Sequence, residues 1–130
     1  MLLDTSGLFC LLDRDEPAHE EAVSFYAGAD RRTIHNYILA EFVSLAQTRG
    51  LARSLTLEFS EELLTDNRVK IVWVDNQLHR EALELLQNRR DKSYSLCDAV
   101  SFLIMRERHI SEALTTDRHF AQESFHRLLK

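Results

Sequence analysis

Short apolar stretches alternate with longer helical ones along the whole chain, and this alternation limits the possible folds more than any single motif does. Lys70-Ile71-Val72-Trp73-Val74 is the clearest strand, a β-branched run bounded by charge. Residues 1–4, 32–35 and 113–116 read as further strands, and 125–129 as a last edge strand. Between them the pattern predicts helices over 5–12, from Pro17 in a first turn to about 27, then 37–48, 51–64, 77–89 and 95–108, with a short helical turn at 118–122. Strands that alternate with helices imply βαβ units. The expected fold is therefore α/β, with a central parallel sheet of four or five strands and helices on both faces. Composition agrees. Three glycines and one proline, where about 15 of the two together would be ordinary for this length, argue against a turn-rich β-sandwich. A chain of 130 residues that is 45% hydrophobic suits one packed core, so residues 1–130 are expected to form a single domain. No apolar run approaches the ~18 residues of a membrane span. Met1 leads directly into Leu2-Leu3-Asp4 without a signal-peptide pattern, and a cytoplasmic protein is expected. Cys10 and Cys97 sit among apolar neighbours and are expected to be reduced core residues.

Acidic residues number 21, so position rather than presence carries information. In a parallel sheet, ligands bind beyond the carboxyl ends of the strands, near a topological switch point. Asp4 ends the first expected strand and Asp117 the fourth; each also precedes a helical segment, so helix capping is the competing role. Glu41 projects between Tyr37 and Leu45, at the border of the apolar face of its helix, where snorkelling to water is the alternative. Asp98 is the most informative. The segment Leu96-Cys97-Asp98-Ala99-Val100-Ser101-Phe102-Leu103-Ile104-Met105 is apolar nearly all round, so its helix should be buried. A carboxylate there needs a cation or strong donors, and an ion pair with an arginine is the competing role. If the four acids converge, their repulsion is relieved by a divalent ion. Carboxylate oxygens without Cys or His partners suit Mg²⁺ or Mn²⁺ rather than zinc. Such a site serves phosphodiester hydrolysis.

Four segments in order carry a resemblance: Leu3-Asp4-Thr5-Ser6, Ala40-Glu41, Ser95-Leu96-Cys97-Asp98-Ala99 and Leu114-Thr115-Thr116-Asp117-Arg118-His119-Phe120. Through them the chain resembles the PIN-domain ribonucleases, and among these the VapC-type toxins of bacterial toxin–antitoxin pairs. The resemblance implies a metal-dependent endoribonuclease. It carries over Asp4, Glu41, Asp98 and Asp117 as catalytic residues, with Asp4, Asp98 and Asp117 as metal ligands. Thr115 would be a supporting hydroxyl. Ser6 and Thr5 would be hydroxyl donors or helix caps, with capping the expected role of Ser6. Asp91 reads better as a surface-loop residue. The resemblance further implies an RNA substrate, a homodimer, and a cognate antitoxin whose C-terminal segment covers the site. Leu55, Phe59 and Leu63 are candidates for that contact, with core packing the competing role.

A metal-activated water attacking an RNA phosphate needs no protein nucleophile. None of the six histidines reads as an obvious base; His119 is expected to pack or to face solvent, with orienting substrate the competing role. A net charge of −5 argues against a general nucleic-acid-coating protein. Phosphate would have to meet a local rim, for which Arg89, Arg90, Lys92 and Arg118 are the candidates, with Arg106 and Arg108 forming another basic cluster. Two other functions compete. A receiver-like signalling domain would need an acidic pair after the first strand and a lysine after a late one, and the chain has neither. A catalytically silent PIN-fold binding protein is opposed by the presence of all four acids.

Overall fold

The computed structural model describes residues 1–130. Its strands are β1 (Leu2–Leu3), β2 (Arg32–His35), β3 (Val69–Val72), β4 (Glu112–Leu114) and β5 (His126–Arg127). Its helices are α1 (Thr5–Leu12), α2 (His19–Gly28), α3 (Asn36–Thr48), α4 (Arg53–Thr65), α5 (Asn76–Gln87), α6 (Leu96–Glu107) and α7 (His119–Gln122). All strand pairs are parallel, in the order β3-β2-β1-β4-β5. The chain thus steps outward from β1 through β2 to β3, then crosses back to β4 on the other side of β1. Right-handed crossovers put helices of the outward run on one face and those of the return on the other. The packing follows this division: α1 meets α2 and α3, and α3 meets α4, while α5 meets α6 and α6 meets α7. The direction of winding reverses between β1 and β4, so the crevice for a ligand lies at their carboxyl ends.

β1 and β2 are buried throughout. Leu2, Leu3, Ile34, Ala113 and Leu114 have no exposed surface, and β2 is buried along its length although Arg32, Thr33 and His35 are polar. Phe9, Phe42 and Phe59 pack edge to face on one side of the sheet. Tyr94, Phe102, Phe120 and Phe125 form a second aromatic group around α6 and α7. One glycine fixes how α1 lies on the sheet. A Cβ at Gly7 would stand 2.0 Å from the Leu114 carbonyl oxygen, so only glycine lets the start of α1 touch the end of β4. Gly50 ends the α3 region with φ +76, the left-handed conformation that glycine adopts without strain.

Several expected boundaries move, each for a local reason. Pro17 is not in a helical turn. Asp13 and Glu16 carbonyls accept from the amides of Glu16 and His19, so Pro17 sits in a turn ahead of α2. The third strand ends at Val72 instead of Val74, because its partner β2 ends at His35 where α3 begins; the Val74 amide then donates to Asn36 Oδ1 at 2.7 Å. The fourth strand ends at Leu114, since the hydroxyls and amides of the following residues turn to side chains of α1. Leu63 belongs to the core and Phe59 packs on Phe42, whereas Leu55 is exposed. Both cysteines are free and buried.

Candidate active site

Asp4 leaves the end of β1 as the N-cap of α1, yet its carboxylate caps nothing. It turns instead to the neighbouring strand end, where Thr115 Oγ1 donates to Asp4 Oδ2 at 2.7 Å. Thr115 Oγ1 also accepts from the Asp117 amide at 2.9 Å. Ser6 Oγ accepts from the Thr116 amide at 2.9 Å and lies 3.0 Å from Thr115 Oγ1. With the Thr115 proton committed to Asp4, the Ser6 hydroxyl hydrogen is shared between Thr115 Oγ1 and Asp4 Oδ2, 3.4 Å away. Capping is therefore not the role of Ser6, which lies inside α1 and ties the exit of β4 to the end of β1. Thr5 Oγ1 is buried without a partner.

Asp98 enters from α6. Ser95 and Asp98 form a reciprocal capping box: the Asp98 amide donates to Ser95 Oγ, and the Ser95 amide to Asp98 Oδ2, both at 3.0 Å. This pattern fixes the carboxylate at the positive end of the helix. His119 Nδ1 lies 2.9 Å from Asp98 Oδ2 and 3.5 Å from Asp117 Oδ2. The His119 amide donates to Asp117 Oδ1 at 2.9 Å. Ligand atoms of Asp98, Asp117 and His119 lie within 4.8 Å of one another. No lysine or arginine pairs with Asp4, Asp98 or Asp117, so the arginine partner considered for Asp98 is replaced by a histidine.

Charge and burial act together on Asp4. Desolvation pushes its carboxyl up to about 7, with the nearby charges of Asp98 and Asp117 adding to the rise and the Thr115 hydrogen bond opposing it. Glu41 stands on the solvent-exposed side of α3. Burial raises the pKa of the Cys97 thiol, as do the charges of Glu41, Asp4 and Asp98. Asp98 and Asp117 thus meet at the switch crevice, Asp4 is joined to them through the Thr115 hydroxyl, and Glu41 is not among the grouped ligand atoms. An oxygen-rich donor set of this kind, with one imidazole and no thiolate, could hold a hard divalent cation.

Comparison with known proteins places this crevice in context. The PIN domain family model matches residues 1–125. The chain belongs to the PIN-domain family. Among curated relatives, this chain is 29% identical over 126 residues to the 23S rRNA-specific endonuclease VapC20 of two Mycobacterium tuberculosis strains, covering 96% of this chain and 95% of the relative. It is also similar to the crystal structure of M. tuberculosis VapC20, described as a sarcin–ricin loop cleaving toxin. There the TM-score is 0.90 at 23% identity, over 99% of this chain and 98% of the other.

Around the PIN crevice the expected basic rim divides. Arg89 is drawn inward, with Nε 3.2 Å from Glu123 Oε2, so its charge already has a partner. Lys92 lies 3.6 Å from the exposed Asp91, which fits a surface loop. Arg90 and Arg118 are exposed and unpaired. The residue that sequence reasoning undervalued is His119, expected to pack or face solvent and found between two acids. The available signal was its spacing, two residues after Asp117 in a turn too short to point them apart. The Ser95-x-x-Asp98 capping box was legible as well. No helix is long and apolar enough to cross a membrane.

Proposed function

We propose that this PIN-domain protein is a metal-dependent endoribonuclease, the toxin of a toxin–antitoxin pair, acting as a single domain in the cytoplasm with Mg²⁺ or Mn²⁺. The observation that carries this reading is the convergence of Asp4, Asp98 and Asp117 at the β1/β4 crevice with no lysine or arginine to neutralise them. The character of the relatives supports RNA as substrate, and 23S rRNA is the first target to try.

Asp4, Asp98 and Asp117 are the metal-holding and catalytic residues, with Glu41 a fourth catalytic acid on the rim. Each of the first three is fixed by donors on part of its carboxylate. Asp98 Oδ1 takes no hydrogen bond from the protein, which leaves it free for a ligand. Thr115 and Ser6 orient Asp4. Arg90, Lys92 and Arg118 supply phosphate contacts around the acidic centre, and Arg89 joins them only through its exposed edge. A bound divalent ion supplies Lewis-acid charge at the scissile phosphate and acidifies water. The chain's own part is to hold that charge at the strand ends and to align the phosphate against it. Hydrolysis would join the water oxygen to phosphorus, with the water's proton passing to a carboxylate of the site and on to solvent, and release one ribose oxygen, which takes a proton from solvent. The family relationship also supports a homodimer and an antitoxin that covers the crevice.

The test is end-mapping of 23S rRNA incubated with the purified protein and Mn²⁺. New ends with the wild type that are absent with Asp98→Asn support the assignment. Identical ends with both proteins overturn it.

A further inference from the structure

His119 is bound on every polar atom it offers. Its amide holds Asp117 Oδ1. Its Nδ1 faces Asp98 Oδ2 and, farther off, Asp117 Oδ2. On the other side of the ring, Nε2 lies 3.2 Å from Ser93 Oγ. The ring edge packs on Tyr94, centroids 5.1 Å apart. Tyr94 is itself anchored, its hydroxyl donating to Glu123 Oε2 at 3.2 Å, and Glu123 is clamped by Arg106 at 2.7 Å and by Arg89. The imidazole therefore has a defined orientation, set by the segment 91–95 and by α7.

The direction of the hydrogen bonds separates two roles. An ionised carboxylate only accepts, so the nitrogen facing Asp98 carries a hydrogen. In the neutral ring, that places the proton on Nδ1 and leaves Nε2 to accept from Ser93 Oγ–H. A nitrogen that donates to the acids has no lone pair for a cation. We propose that His119 is a positioning residue: held by Ser93 and Tyr94, it sets the spacing of Asp98 and Asp117 for a divalent cation without coordinating the cation itself. The inference rests on the metal-site reading given above. It also brings Ser93, from the loop next to the basic rim, into the support of the site. Partners of this kind hold ligating carboxylates in place, and their loss typically weakens metal binding about 10–100-fold.

The test is Mn²⁺ calorimetry on the full chain, comparing wild type, His119→Ala, His119→Asn, Ser93→Ala and Asp98→Asn, each with a thermal melt. The expected result is at least about tenfold weaker Mn²⁺ binding in His119→Ala. His119→Asn should recover most of it, because the asparagine amide places a donor close to the position of Nδ1. Ser93→Ala, at an exposed loop position, should weaken binding severalfold with an unchanged melting temperature, and it carries the test if His119→Ala does not fold. Wild-type affinity in both His119→Ala and Ser93→Ala overturns the proposal. So does binding in His119→Asn as weak as in His119→Ala, since an imidazole lone pair would then be required. Unchanged binding in Asp98→Asn rejects the underlying metal site, an outcome separate from failure at His119 alone.

Discussion

Two acidic centres lie close together in this protein and have been treated in opposite ways. Glu123 is buried, but two arginines and the Tyr94 hydroxyl surround its carboxylate. These hydrogen bonds outweigh its burial and hold its pKa below the usual range. Asp4 is buried more deeply, has hydroxyl and amide donors but no cation, and faces two further acids; desolvation first, and those charges after it, push its pKa up to about 7. The Glu123 centre has its cationic partners and ties the segment after α5, α6 and the end of α7 together. The Asp4 centre has excess negative charge at the one crevice the topology opens. Burial of a carboxylate does not by itself mark function; burial without a cationic partner at a strand end is the informative combination.

The largest expected effect breaks the comparison from the acidic side. Asp98→Asn should lower RNA cleavage by a hundredfold or more while leaving the melting temperature at or above that of wild type, because it removes a like charge. A single-turnover cleavage assay beside a thermal melt measures both. Glu123→Gln should do the reverse. It should cost about 2 kcal/mol of stability, a modest figure because both arginines are partly exposed, and leave Mn²⁺ binding within a few fold of wild type. Urea unfolding checks the stability.

The two centres should also respond to pH with opposite signs. The raised carboxyl of Asp4 keeps its proton in the folded state where the unfolded chain has lost it. Metal-free protein should therefore lose stability as pH rises from about 4 to about 7, by at most roughly 1.4 kcal/mol per unit, and no further above that range. Asp4→Asn should remove this slope, and Mn²⁺ should offset it in the wild type. Glu123, with its lowered pKa, contributes stability above the ordinary glutamate range that is lost as pH falls through its folded value. Denaturant titrations at several pH values in a chelating buffer separate the two. The smallest effect concerns the rim: Arg90→Ala with Lys92→Ala should raise KM severalfold, leave kcat nearly unchanged and make KM less sensitive to salt.

The sequence pattern reached the parallel α/β fold because short strand-like segments alternate with helices that have definite ends. It singled out Asp4, Asp98 and Asp117 because strand ends and an apolar helix leave few places for an acid, and Glu41 from the border of its helix's apolar face. What it missed depends on contacts between distant segments. Ser6 looked like a cap, since the Thr116 amide that engages it lies 110 residues away. His119 looked unremarkable because Ser93, Tyr94 and Asp98 come together around it only once α6 and α7 have packed. Arg89 looked like a rim cation because nothing local announces its pairing with Glu123. Strand ends at Val72 and Leu114 were misjudged for the same reason: partner strands and α1, rather than local propensity, decide where pairing stops.

The most direct measurement is anomalous diffraction from crystals grown with Mn²⁺. The account predicts one or more manganese peaks at the β1/β4 crevice, bound by carboxylate oxygens of Asp4, Asp98 and Asp117, with none at Glu123. A crevice without manganese at saturating concentration, or a peak bound by other residues, would contradict it.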